Sequence, residues 1–350
     1  MSQVTPTSDD FLQRALVIGD GSWGTALAIL LARAGVQTTL WSRDPERSKS
    51  MAESRENKKY LPGVELPEGM QFSADPFAAA KDVNLALSVV PTQFLRSVIE
   101  RFEDALAGDV PVVSSTKGIE IESFQTPLQI IEDVLGERPM GVLTGPSHAE
   151  EVSRGLPASM VMASHDADLN RRVQATLSSD RFRLYTSSDP RGAELAGALK
   201  NVIALAAGIS DGLKMGDNAK SALITRGIVE MARFGQVQGA TPNTFFGLAG
   251  IGDLMTTCYS KHSRNRAVGE KLGAGQTLEQ ILEEMQMVAE GVWTTRALFG
   301  PESDARGTPM PIAEQVHRVL FDHLDPRKAV DALMQRATSG EMDSLFTGNL

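Results

Sequence analysis

Apolar and polar positions follow two regimes along this chain. Up to about residue 190, short strand-like runs, most of them largely apolar, alternate with longer stretches of helical period. Ala15-Leu16-Val17-Ile18, Gln37 to Trp41, Asn84 to Val90, Val110 to Ser115, Met140 to Leu143, Ala158 to Ala163 and Phe182 to Thr186 read as strands. Thr25 to Ala32, Thr92 to Ala107, Gln125 to Leu135 and Ala167 to Leu177 read as helices, and the charged stretch Glu46 to Lys59 as helix and loop. Strands that are apolar on both faces and separated by helices predict a parallel sheet with right-handed crossovers. Beyond Pro190 the strand pattern stops. Helical periods run through Gly192–Gly208, Asn218–Phe234, Ser263–Leu272 and Thr277–Met287, and on to about Arg336. The pattern therefore predicts a mostly parallel α/β domain over 1–190 and an all-α domain over 191–350.

The first strand ends in Gly19-Asp20-Gly21-Ser22-Trp23-Gly24, and a helix pattern starts there. In such a turn the first glycine permits the bend. The second lets backbone approach a pyrophosphate, and the third lets helix and strand pack closely. The helix start adds N–H groups and a partial positive charge. Past the second strand the chain reads Ser42-Arg43-Asp44-Pro45. Arg43 suits a 2′-phosphate or stacking on adenine. Asp44 suits a ribose hydroxyl, although Pro45 marks it as the start of a turn. The balance favours NADP, with NAD as a second option.

At 350 residues and 42% apolar content the chain can form two packed domains. Its formal charge of −10 argues against nucleic acid or an anionic membrane as bulk partner. One cysteine, Cys258, allows no internal disulfide and fits a reducing compartment. The five histidines show no HxxxH or HExxH spacing, so no metal site is expected. Met1 to Asp10 lacks the basic and apolar regions of a secretory signal. Charged and amide residues interrupt the longest apolar run, Ala193 to Gly208. These features predict a cytoplasmic protein without integral membrane association.

On a helical wheel Lys200 shares its face with Ala193, Ala196, Gly197, Ala204 and Ala207. Small neighbours let a ligand or another segment come close. A lysine so enclosed is desolvated, which lowers its pKa and suits it to proton transfer; the alternative is a lysine snorkelling from an interface helix. Lys117, in Ser114-Ser115-Thr116-Lys117-Gly118, follows a buried strand, and so does Thr144-Gly145-Pro146-Ser147. Both fall at the carboxyl edge of the predicted sheet, where open α/β folds bind ligands. Ser263-Arg264-Asn265-Arg266 opens a helix whose start suits an anion, with a plain capped surface helix as the alternative. Asp253 follows Gly250-Ile251-Gly252, a run that permits close backbone approach; the alternative is a helix cap.

With these residues in view, the chain resembles the bacterial-type NAD(P)-dependent glycerol-3-phosphate dehydrogenases from about Ala15 to Arg336. The resemblance rests on an ordered set of motifs: GDGSWGTALA, SSTKGIE, LTGPSHAEEVSRGLP, ELAGALKNVIALAAGISDGL, NAKSALITRGIVEM, GLAGIGDLMTTC and SRNR. It implies an α/β Rossmann-type N-terminal domain (mostly parallel sheet) that binds NAD(P), and an all-α C-terminal domain that binds substrate and carries the catalysis. It implies Lys200 as the acid/base lysine and Lys117 as a catalytic lysine touching both substrate and cofactor. Gly145, Ser147, Asp253, Ser263, Arg264 and Asn265 then match substrate contacts. Gly19, Gly21, Ser22, Trp23, Gly24, Arg43, Ala149, Arg264, Val288 and Glu290 match contacts to NADP(H) or NAD(H).

The implied reaction interconverts sn-glycerol 3-phosphate and dihydroxyacetone phosphate by hydride transfer, and in the family it feeds glycerophospholipid synthesis. A homodimer is implied as well. Two rivals share the architecture. A hydroxyacid or ketopantoate-type reductase is disfavoured by Ser263-Arg264-Asn265, and a non-catalytic NADP-binding protein is disfavoured by retention of both lysines.

Overall fold

The computed structural model describes residues 12–285, 289–303 and 307–337. These pack as two compact units. One comprises the described residues up to Thr116 together with Pro127–Pro190; the other comprises Lys117–Thr126 and the described residues from Arg191 onward. A contiguous division at residue 190 does not anticipate the excursion of Lys117–Thr126 into the helical unit. Ile119 and Phe124 explain it, because both are buried in that unit's apolar core.

The first unit is built on an eight-stranded sheet. Its strands are β1 (Arg14–Ile18), β2 (Gln37–Trp41), β5 (Gln71–Ser73), β6 (Leu85–Ser88), β7 (Val112–Ser114), β8 (Met140–Thr144), β9 (Ala158–Ala163) and β10 (Phe182–Ser187). The spatial order is β10-β9-β8-β7-β6-β1-β2-β5. A separate antiparallel hairpin is formed by β3 (Glu56–Asn57) and β4 (Leu61–Glu65). Leu16 and Ile18 face one apolar layer while Ala15 and Val17 face the other, so both faces of the sheet are covered. That double coverage is why these strands read as continuous apolar runs.

All pairings in the sheet are parallel except β8 with β9. Between those two strands lies only the four-residue helix Ala149–Val152, where a parallel crossover needs a longer return. In register, Ile18 stands beside Trp41 and Ser88, and Ser88 beside Ser114. The ends of β1, β2, β6 and β7 are thereby level, and the turns after them share one edge.

Three strands, β3, β4 and β5, escape the sequence pattern, and β3 is only two residues long. Gln71-Phe72-Ser73 is too short and polar to stand out, and Leu61–Glu65 contains Pro62 and Gly63, which belong to edges and turns. The helix predicted to Ala107 ends at Ile99 and tightens into a 3₁₀ turn over Glu100–Phe102.

Among the described residues the second unit is helical. Its axis is the helix Pro190–Gly212, long and apolar enough to cross a membrane, with its apolar stretch buried inside the protein, as in a core helix. The helix Arg264–Gly273 crosses it at backbone contact. A Cβ on Gly208 would stand 2.0 Å from the carbonyl oxygen of Arg266, and one on Gly212 would stand 2.2 Å from that of Glu270. From the other side, a Cβ on Gly269 would stand 2.0 Å from the Leu205 oxygen. Glycines four apart on both helices make this crossing possible, and it fixes where Arg264 and Asn265 begin.

Candidate active site

Lys200 lies in the middle of Pro190–Gly212 and is buried, at 6% exposure. Its face of Ala193, Ala196, Ala204 and Ala207 is fully enclosed, so the snorkelling alternative is excluded. The ammonium donates to Asp253 Oδ1 at 2.6 Å and to Thr257 Oγ1 at 2.7 Å. Asp253 Oδ2 accepts from Lys117 Nζ, also at 2.6 Å. One buried carboxylate thus bridges two lysines that are far apart in sequence.

Local structure aims these groups. Asp253 is the first residue of the helix Asp253–Tyr259, entered from one wide π turn over Leu248–Gly252. Such turns often mark functional sites. Gly250 is required there, because a Cβ would stand 1.9 Å from the carbonyl oxygen of Phe245. Thr257 sits one helical turn after Asp253 and donates its own proton to the Asp253 carbonyl, 2.6 Å away. Its oxygen lone pairs are left to accept from Lys200. The sequence reading missed Thr257; the signal was its i+4 spacing from Asp253, which places both on one helix face.

Burial lowers the Lys200 pKa to about 8; Asp253 pulls it back up while Lys117 pushes it down. Burial alone would raise the pKa of Asp253, but the two lysines together hold it below its ordinary value. The trio therefore carries one net positive charge in a desolvated setting, with a proton at Lys200 that can leave near neutral pH. An ammonium has three donors. Asp253 and Thr257 take two of those on Lys200, and the third can meet a substrate oxygen.

Ser263 caps the helix Arg264–Gly273, its Oγ accepting from Arg266 N at 3.2 Å. Arg264 is exposed beside it. Asn265 is buried and oriented internally: Nδ2 donates to Asn201 Oδ1 at 2.9 Å, and Oδ1 accepts from Gly291 N at 2.9 Å. Asn201, next to Lys200 in the chain, is a second residue the sequence reading passed over. Glu290 opens the helix Glu290–Leu298. Val288 lies outside the described residues. A cavity of about 1050 Å³ in the helical unit, lined by Ile209, Leu223, Glu230 and Val316 among others, includes none of the lysine cluster.

In the first unit the glycine turn is a cradle. Gly19 has φ +113°, and a Cβ there would stand 2.9 Å from the Val89 oxygen. A Cβ on Gly24 would stand 1.9 Å from the oxygen of Gly19, whereas Gly21 faces open space. No side chain caps the helix Ser22–Arg33 at Gly21, so its first N–H groups point toward that space. The Trp23 indole N–H has no hydrogen-bond partner among the described residues. The shape and the donors fit a dinucleotide pyrophosphate. Arg43 is exposed just past β2. Asp44 is already engaged by protein: it caps the helix Pro45–Ser54 and pairs with Arg47 at 2.8 Å, while its side chain stays 44% exposed. After β8, Gly145 has φ +140°, and its carbonyl accepts from Ser147 Oγ at 3.0 Å. Ala149 begins the next short helix and is buried.

Comparison with known proteins gives a consistent pattern. The amino-terminal family model of NAD-dependent glycerol-3-phosphate dehydrogenase matches residues 14–170, and the carboxy-terminal model of the same family matches residues 189–331. Glycerol-3-phosphate dehydrogenase [NAD(P)+] of Thermus thermophilus is 48% identical over 94% of this chain and 100% of its own length. The relative named glycerol-3-phosphate dehydrogenase [NAD(P)+] 1 of Salinibacter ruber is 44% identical over 93% of this chain and 96% of its own. The crystal structure of glycerol-3-phosphate dehydrogenase from Coxiella burnetii superposes with a TM-score of 0.88 at 38% identity, covering 93% of this chain and all of that one.

Proposed function

This chain belongs to the NAD-dependent glycerol-3-phosphate dehydrogenase family, and from that premise we infer which of its residues perform the reaction. The protein is an NAD(P)-dependent oxidoreductase that interconverts sn-glycerol 3-phosphate and dihydroxyacetone phosphate. When bound, the nicotinamide supplies or accepts the hydride. Lys200 gives its third N–H to the substrate carbonyl oxygen, stabilises the negative charge that grows there and delivers the proton. In the reverse direction neutral Lys200 takes that proton from the alcohol. Asp253 and Thr257 hold the ammonium in line, and Lys117 adds a second positive charge. The observation that carries this reading is the enclosed Lys200–Asp253–Lys117 bridge.

Gly145, Ser147, Asp253, Ser263, Arg264 and Asn265 are assigned to the substrate. Arg264 and the capped helix start at Ser263 suit its phosphate. Gly19, Gly21, Ser22, Trp23, Gly24, Arg43, Lys117, Ala149, Arg264, Val288 and Glu290 are assigned to the cofactor. Residues 1–190 are assigned the cofactor role and 191–350 the substrate and catalytic role, a division supported by the spans of the two family models. Service to phospholipid synthesis, a cytoplasmic location and a homodimer are further parts of the proposal, which sedimentation, fractionation and a growth test of a deletion strain would check. The central test follows NADPH oxidation with dihydroxyacetone phosphate, with ketopantoate and without substrate. Turnover with the phosphate ester alone supports the reading; turnover with ketopantoate, or none with either, overturns it.

A further inference from the structure

Beyond the glycine turn, the carboxylates that meet the end of β2 are both occupied. Asp20, inside the turn, is buried, and its Oδ2 accepts from Ser42 Oγ at 2.7 Å. The Arg47 guanidinium reaches it from the helix Pro45–Ser54, with Nε donating to Oδ2 and Nη2 to Oδ1. The same guanidinium donates through Nη1 to Asp44 Oδ2 at 2.8 Å, while Asp44 Oδ1 accepts from Arg47 N. Tyr60 backs the arginine, its ring centre 5.3 Å from the guanidinium carbon. The Asp20 backbone is pinned too, its carbonyl accepting from Asn57 Nδ2 at 2.8 Å. A site that selects NAD presents an open carboxylate here to the ribose 2′-hydroxyl, and that charge repels a 2′-phosphate. In this chain one arginine holds both carboxylates.

We propose that Arg47 is a specificity-determining residue: by pairing with buried Asp20 and with half-exposed Asp44 it offsets carboxylate charge at the end of β2 and lets the site accept a 2′-phosphate. The inference rests on the reading of the glycine turn as the dinucleotide site. Arg47 acts through the carboxylates, leaving Arg43, exposed at the same strand end, as the direct phosphate partner. Without Arg47 the Arg47–Asp20–Asp44 trio goes from one net negative charge to two. Asp20 then keeps the Ser42 hydroxyl as a partner but loses the cation that offsets its charge.

The test is calorimetric titration with 2′,5′-ADP and with 5′-AMP, which isolates the 2′-phosphate from turnover. Wild type should bind 2′,5′-ADP the more tightly. Arg47→Ala should weaken 2′,5′-ADP about tenfold or more, in line with one unscreened charge near a phosphate, while 5′-AMP stays within about twofold. Its retained binding also reports an intact pocket. The triple variant Asp20→Asn, Asp44→Asn, Arg47→Ala should recover 2′,5′-ADP to within about threefold of wild type, since Asn still caps the helix and no bare carboxylate remains. Equal losses for both nucleotides, no loss at all, or a triple variant as weak as the single one overturns the proposal. Failure of wild type to bind either nucleotide overturns the dinucleotide reading itself.

Discussion

Gly208 and Arg266 meet backbone to backbone: a methyl group on the first would stand 2.0 Å from the carbonyl oxygen of the second. This contact ties the helix of Lys200 to the helix that begins at Arg264. The two were separate motifs in the sequence, and one steric constraint makes them a unit. Gly208→Ala should push the helices apart, costing about 1–3 kcal/mol or more as overpacking does. It should also raise KM for dihydroxyacetone phosphate more than it changes NADPH affinity. Thermal unfolding and steady-state kinetics on one preparation measure both. Wild-type Tm and KM together would show that the crossing tolerates a side chain.

Lys200→Ala should leave NADPH binding near wild type and cut turnover by ~10²–10⁴-fold, the usual share of a general acid–base group. Removal of Lys200 leaves Asp253 paired with Lys117 at 2.6 Å, so the buried carboxylate keeps a counter-charge. Turnover near wild type in a variant that unfolds normally would remove Lys200 from the mechanism.

The direction of the reaction sets the sign of its pH dependence. Carbonyl reduction needs protonated Lys200 and should fall as pH rises through about 8; alcohol oxidation needs the neutral amine and should rise over the same range. Because the groups are coupled, the apparent value belongs to the cluster. Asp253 raises the Lys200 pKa, so Asp253→Asn should move both limbs toward lower pH. Limbs that stay put in that variant would show that some other group titrates.

Much of this site was legible because the chemistry lies in local patterns. The strand, glycine turn and helix at Ala15–Ala32 announce themselves, and Lys200 stands out against its alanines. The physical reason is close packing: the helix face that carries Lys200 is built of small residues that let other elements approach it. Less was legible where structure depends on long-range packing. Asp253 read as a residue after glycines, and nothing local indicated that a π turn would aim it at two lysines. Asp44 read as a ribose acceptor or a turn residue, and its ion pair with Arg47, three residues on, had no signal in the sequence pattern. Lys117–Thr126 joins the helical core through Ile119 and Phe124, and the rest of that buried core begins only at Leu195.

Glu230 predicts a pH effect on stability away from the chemistry. Its carboxylate, buried at 2% exposure, accepts from the backbone N–H groups of Ile312 and Ala313, both at 2.9 Å. It thereby caps the helix Pro311–Phe321, which has no side-chain cap at Met310. Burial outweighs these donors and pushes the Glu230 pKa up to about 7 from 4.5. Between those values the folded chain holds a proton that the unfolded chain has released. The resulting stability is fully present below pH 4.5 and is lost as pH rises through about 7. Glu230→Gln cannot titrate, so wild-type Tm should drop relative to that variant between pH 5 and 8. A constant difference would show that Glu230 ionises normally. Glu230→Ala should be less stable than either at every pH, because it orphans two buried donors.

The phosphate assignment is the most exposed to test. Arg264 begins its helix one residue after the Ser263 cap, and the whole helix start is set by the crossing at Gly208 and Gly212. A guanidinium at a helix N-terminus offers a phosphate directional, charge-assisted hydrogen bonds together with backbone N–H dipoles. Arg264→Ala should therefore raise KM for dihydroxyacetone phosphate ~10-fold or more and leave any activity on unphosphorylated dihydroxyacetone much less affected. NADPH must be saturating, since the same arginine is assigned to the cofactor as well. Arg264→Lys separates charge from geometry: a lysine restores attraction but not the two-pronged contact, so its KM should fall between the two. A KM within twofold of wild type for the alanine variant would move the phosphate site away from Ser263, and the carboxylate-substrate reading would gain what the phosphate reading loses.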